Sequence, residues 1–164
     1  MTCEYCEIIE GHGKAELLYQ DEFVVVAIRD TGVTPGQITI FPKKHFTIME
    51  MVPKEILERC AVISNKVGVA VFEGLGAQGT NILVQNGLGA GQKVPHFAIE
   101  VIPRQENDGL NLQWEPKQVP EDEMDLTFLT LKESIERGIE TIEEKKEEVK
   151  EEPKEEKVDE KDNY

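Results

Sequence analysis

Gly91-Gln92-Lys93-Val94-Pro95-His96-Phe97-Ala98-Ile99-Glu100-Val101-Ile102-Pro103-Arg104 carries the pattern of a strand with one buried face, from His96 to Ile102. Successive side chains of a strand point to opposite faces, so Phe97, Ile99 and Val101 form an apolar side suited to a core. His96, Ala98 and Glu100 share the other side, and Pro103 closes the run. The loop that feeds it, Asn86-Gly87-Leu88-Gly89-Ala90-Gly91, is rich in glycine, which permits close backbone approach to a ligand.

Upstream, Glu16–Tyr19 and Phe23–Ile28 read as two strands joined by the turn Gln20-Asp21-Glu22. Gln37–Phe41 alternates apolar and polar residues and is a third strand, ended by Pro42. From Pro53 to about Glu73 the period becomes helical. Ile56, Cys60, Ile63, Val67 and Ala70 fall on one stripe, and Gly74, Gly76 and Gly79 stop it. Asn81–Val84 is a short fourth strand. Strands, one long helix and further strands in this order predict an α+β fold with an antiparallel sheet.

Beyond Trp114 the chain is loop-like and proline-rich. A second helical stripe then begins near Glu121, with Phe128, Leu131, Ile135, Ile139 and Ile142. From Glu143 to Asp162 the chain holds eleven acidic and six basic residues, a net charge of -5. The expected organisation is therefore a folded domain over residues 1–142 and a Glu/Lys-rich acidic tail over 143–164. That tail reads as a frayed helix or disorder, or else as an acidic arm for a basic partner.

The net charge of -15 opposes binding to a nucleic-acid backbone or an anionic membrane. A small phosphorylated ligand is still compatible with it, since backbone N–H groups can hold phosphate whatever the global charge. No apolar run reaches the roughly 20 residues of a membrane span. The start, MTCEYCEIIEG, has neither the basic nor the apolar segment of a secretion signal, so a cytoplasmic location is expected. Three cysteines, two of them in a Cys3-x-x-Cys6 pair, read as metal ligands or a redox pair rather than a disulfide framework.

Taken in order, Cys3-x-x-Cys6, Asp30, Pro42-Lys43-Lys44-His45, Asn86-Gly87, Ala90-Gly91-Gln92, His96 and Pro103-Arg104 resemble the histidine-triad (HIT) family, with Asp108-Gly109 and Trp114 downstream. The resemblance covers roughly residues 3–135. It implies a HIT-like fold, a five-stranded antiparallel sheet with a long helix and a C-terminal helix, and a homodimer paired through the long helix and strand edges. In the family the middle histidine attacks a nucleotide α-phosphorus, and the third contacts the phosphate. Those positions are here Ala98 and Glu100.

Alanine offers no nucleophile. A carboxylate at ~4 Å from a phosphate oxygen, at an effective dielectric of ~20, would repel it by about 4 kcal/mol unless paired or protonated. The resemblance further implies that Asp30 holds ribose hydroxyls and that Asn86, Gly91, Gln92 and Lys93 surround the phosphate of a purine nucleotide or nucleoside monophosphate derivative. Lys93 would partly offset Glu100. By the same resemblance, Cys3, Cys6, His45 and His96 form a closed structural zinc set. His12 has no such role. Three functions are open: a nucleotide-binding protein with impaired catalysis, a nucleotide hydrolase or transferase with altered chemistry through Glu100 or a metal-bound group, and a zinc-stabilised dimeric scaffold with a vestigial pocket and the acidic tail as its working part.

Overall fold

The structure, a computed structural model, describes residues 3–112 and 114–151, with side chains of the last helix described through residue 139. Two compact units divide the chain, Met1–Leu112 and Gln113–Tyr164. The first contains a short helix α1 (Glu4–Ile9), strands β1 (Ala15–Gln20), β2 (Val24–Arg29) and β3 (Ile38–Pro42), and the long helix α2 (Lys54–Leu75). Strands β4 (Gly79–Leu83) and β5 (Ile99–Arg104) complete it. All neighbours in the five-stranded sheet are antiparallel, in the order β1-β2-β3-β5-β4.

The sequence of β2, Val-Val-Val-Ala-Ile-Arg, is apolar at consecutive positions because both faces of this strand are covered. Val24 and Val26 join Ile38, Ile40, Ile99 and Val101 on one face, against Cys60, Ile63 and Val71 of α2. Val25, Ala27 and Phe41 line the opposite face, where Tyr5 and Ile8 of α1 pack on them. Full burial of each such side chain contributes roughly 1.5–3 kcal/mol. Since α1 is only six residues long, it covers part of that second face. The remainder of the face carries Thr39, Ala98 and Glu100 and is the floor of a cleft.

Three details differ from the sequence reading. The ladder of β5 begins at Ile99 rather than His96, because β3 pairs with it only over Ile38–Ile40. Before that point the Phe97 N–H turns to the carbonyl of Phe46 (2.6 Å). Pro103 lies inside the strand: β3 pairing stops at Val101, so the missing N–H, which faces the β3 side, breaks no ladder bond, while β4 still pairs alongside it. On α2 the buried stripe runs Cys60, Ile63, Ser64, Val71, and Ala70 is exposed. The opposite side of α2 leaves Val62, Val69 and Phe72 exposed, and the edge strand β4 leaves Ile82 exposed.

In the second unit, α3 (Glu121–Glu151) continues through residue 142, and Phe128, Leu131, Ile135 and Ile139 of the expected stripe are exposed. Ile142 and the tail beyond residue 151 lie outside what is described at side-chain and backbone level respectively. No helix among the described residues is long and apolar enough to cross a membrane.

Candidate functional site

Cys3 is the residue that precedes α1, and Cys6 lies one turn into it, so the Cys-x-x-Cys spacing sets both thiols on one end of the helix. Gly13 lets the chain turn back against this helix: a Cβ there would sit 2.8 Å from the Ile8 nitrogen. His45 follows β3, and His96 precedes β5. The ligand atoms of Cys3, Cys6, His45 and His96 all lie within 4.8 Å of one another.

Individual separations test whether a tetrahedral ion fits. Cys3 Sγ and His96 Nδ1 are 3.4 Å apart, Cys6 Sγ and His45 Nδ1 3.4 Å, and Cys6 Sγ and His96 Nδ1 3.7 Å. Zinc with S bonds of ~2.3 Å and N bonds of ~2.0–2.1 Å requires S···N edges of about 3.6 Å, so the cluster fits. The other ring nitrogen of His96, Nε2, donates to the Pro42 carbonyl at 2.9 Å, which fixes the ring and presents Nδ1 as the ligand atom. Burial pushes His96 down to about 4, with the Pro42 bond opposing and His45 adding to the shift, so the imidazole is neutral as a ligand must be. Burial and the neighbouring Cys3 push the Cys6 thiol up to about 11; a cation among these groups reverses that preference.

Next to this cluster is a cleft of about 410 Å³ whose lining includes His96, Ala98 and Glu100 together. The face sharing read from the alternation therefore holds, although the ladder begins only at Ile99. Thr39 stands opposite Glu100 in the β3–β5 register. Its hydroxyl donates to Glu100 Oε2 at 2.9 Å, and Gln37 Nε2 donates to the same oxygen at 2.8 Å. Tyr5 donates its hydroxyl to Glu100 Oε1 at 3.3 Å and accepts from Arg29 Nη1 at 2.9 Å. Tyr5 stacks on Phe41, with centroids 4.7 Å apart. Burial first, and then the charge of Glu100, push the Tyr5 phenol well above its ordinary value, so it stays protonated and able to donate.

Glu100 is thus partnered by Gln37, Thr39 and Tyr5, and not by Lys93. These partners and Arg29 are the site residues that sequence reasoning missed. Gln37 and Thr39 had a visible signal, as the polar members of the alternating strand expected over Gln37–Phe41. The role of Tyr5 had none beyond its place between two cysteines.

The other expected ligand-contacting residues fall in two groups. Gln92 and Lys93 line the cleft, whereas Asp30, Asn86 and Gly91 are not among its lining residues. Asn86 braces its surroundings, accepting from the Met49 N–H at 2.8 Å and donating to the Glu50 carboxylate at 2.8 Å. Gln92 accepts from the Gly87 N–H at 2.7 Å and donates to the Thr47 carbonyl at 2.8 Å, which ties the glycine-rich loop to the loop after β3. Gly91 has φ +81°, the left-handed conformation that favours glycine. Asp30 is exposed at the end of β2, while the following Thr31, Gly32 and Val33 reach the cleft. His12 is exposed and lies 3.7 Å from Glu10.

Comparison with known proteins places these features among relatives. The family profile described as HIT domain matches residues 10–107. An uncharacterized HIT-like protein of Methanocaldococcus jannaschii is 36% identical over 124 residues, covering 74% of this chain and 95% of that protein. Among solved structures, a HIT family protein from Bacillus anthracis matches with TM-score 0.72 and 30% identity, covering 81% of this chain and 96% of the other. A zinc-bound histidine triad family protein from Mycobacterium smegmatis matches with TM-score 0.64 and 30% identity, covering 71% and 85%.

Proposed function

The chain belongs to the histidine-triad (HIT) family, and on that premise we propose that it binds a nucleoside-containing ligand in the cleft without turning it over. The observation that carries this reading is Ala98, seated on the cleft floor between His96 and Glu100 where the family's nucleophile would stand. A methyl group forms no covalent intermediate. Glu100 is a poor substitute nucleophile, because its two oxygens are engaged by Gln37, Thr39 and Tyr5.

In this reading Lys93 and the backbone of residues 31–33 meet the ligand, and Gly91 lets the loop approach it. Asn86 and Gln92 act by bracing that loop, and Asp30 contributes from its rim. Cys3, Cys6, His45 and His96 hold a structural zinc, supported by the tetrahedral fit of their ligand atoms. The zinc-bound state of the related M. smegmatis protein is consistent with this. Bound there, the ion supplies stability rather than chemistry, with no ligand position left open. The exposed side of α2 and the unpaired edge of β4, with Ile82 beside it, support a homodimer.

A calorimetric titration of zinc-replete protein tests the proposal. The panel contains adenosine and guanosine, their 5'-monophosphates and their 5'-phosphoramidates. Saturable heat from any member, with no continuing heat from the phosphoramidates, is the expected result. Heat that continues after each phosphoramidate injection would establish turnover and overturn the reading of Ala98. Silence across the whole panel would leave a zinc-stabilised scaffold as the function.

A further inference from the structure

The floor of the cleft is an acceptor where a phosphoryl-binding site needs donors. A carboxylate offers about four acceptor positions and no donor. Three of those on Glu100 are filled, by Gln37, Thr39 and Tyr5. The orientation of the Gln37 amide is set independently, since its Oε1 accepts from the Val33 N–H at 2.8 Å, so its Nε2 is the end that faces Glu100. Three donors converging on one group is an arrangement that an ionised carboxylate satisfies.

The charge of the nearest guanidinium is already paired, although its buried Nε makes no hydrogen bond. Arg29 donates to Tyr5 through Nη1 (2.9 Å) and to Thr31 through Nη2 (3.1 Å), and its Nε lies 3.2 Å from Glu4. The remaining cation of the lining, Lys93, is exposed to solvent, where its charge is screened. An anionic group placed over Ala98 would therefore meet Glu100, and the nearest guanidinium, Arg29, has its charge already paired with Glu4. A hydroxyl or ammonium there would instead take up the remaining acceptor capacity of Glu100.

Resting on the nucleoside-binding reading above, we propose that the cleft selects nucleosides that present a hydrogen-bond donor, a hydroxyl or an ammonium, over Ala98 and Glu100. It discriminates against those that present a phosphoryl group at that point. Ala98 contributes room, and Glu100 contributes the acceptor.

The test compares dissociation constants of adenosine and guanosine with those of their 5'-monophosphates, on the zinc-replete protein and on Glu100→Gln. In the unaltered protein each nucleoside should bind at least about tenfold more tightly than its monophosphate, and Glu100→Gln should narrow that ratio by about tenfold. A monophosphate that binds as tightly as its nucleoside overturns the proposal and leaves the nucleoside-binding reading standing. No binding by any of the four removes both. Should Glu100→Gln fail to fold, 5'-amino-5'-deoxyadenosine on the unaltered protein decides. It should bind more tightly than AMP, and the reverse order overturns the selection.

Discussion

Thr39 and Glu100 stand directly opposite each other in the β3–β5 ladder, and the Thr39 hydroxyl donates to the Glu100 carboxylate at 2.9 Å. Cross-strand register thus makes a polar pair on a sheet face where Val25, Ala27 and Phe41 form an apolar cluster. Thr39 is 2% exposed, so its hydroxyl cannot exchange this bond for one to solvent, whereas Glu100 also faces the cleft.

Thr39→Val keeps the shape of the side chain and deletes the donor. It should destabilise the protein by about 1–2 kcal/mol in urea denaturation, the lower part of the usual range for losing a hydrogen bond to a charged group. Placed on Glu100→Gln, the same change should cost less, because the acceptor is no longer charged. Equal costs in the two backgrounds would show that Thr39 acts through packing rather than through Glu100.

Removing zinc should loosen more than the ligand cluster. Cys3 and Cys6 flank Tyr5, whose ring packs on Phe41 and whose hydroxyl reaches Glu100. Chelation, or Cys6→Ser, should lower stability by about 3 kcal/mol or more, a fall in Tm on the order of 10 °C for a chain of this size. Tyr5 ring resonances should lose their buried shifts in the same step. An unchanged Tm in metal-free protein would discard the structural role.

The faces of the central strands were legible because alternation is a local property: Phe97, Ile99 and Val101 are all buried as their period requires. Strand ends were less so. Whether His96 joins the ladder depends on where β3 stops pairing, which the local sequence does not encode. Helix α1 escaped notice because six residues show no resolvable period. On α2 the buried position moved from Ala70 to Val71, one residue within the width of an apolar stripe. The metal set joins residues separated by 39 and 90 positions along the chain, counted from Cys6, and only the family resemblance brought them together. Glu100 drew attention as a charge out of place, but its partners arise from register and from the docking of α1.

Restoring a nucleophile alone should not restore chemistry. Ala98→His places an imidazole on the floor, yet Glu100 still disfavours a phosphoryl group beside it. Turnover of adenosine 5'-phosphoramidate should stay at background in Ala98→His and rise at least about tenfold above it in Ala98→His/Glu100→His. Chromatographic detection of released AMP provides the measurement. Full activity in the single variant would show that Glu100 does not oppose the phosphate.

Acid should weaken the tie between α2 and the β1–β2 hairpin. Burial alone would raise the pKa of Asp21, but Arg59 (2.7 Å), the Phe23 and Val24 N–H groups and the Tyr19 hydroxyl together hold it down to about 2, from an ordinary 3.8. A depressed carboxyl contributes its full stability above the unfolded value and loses it as pH falls through the folded one. The window here runs from about 4 down to about 2. Asp21→Asn keeps acceptors for the turn N–H groups and removes the charge. Arg59 is 43% exposed, so solvent screening keeps the difference from the unaltered protein small at pH 7. In urea denaturation that gap should be constant from pH 7 to 5 and should close as pH approaches 2.5. A gap that persists undiminished in acid would mean the carboxylate charge is not what holds the hairpin to the helix.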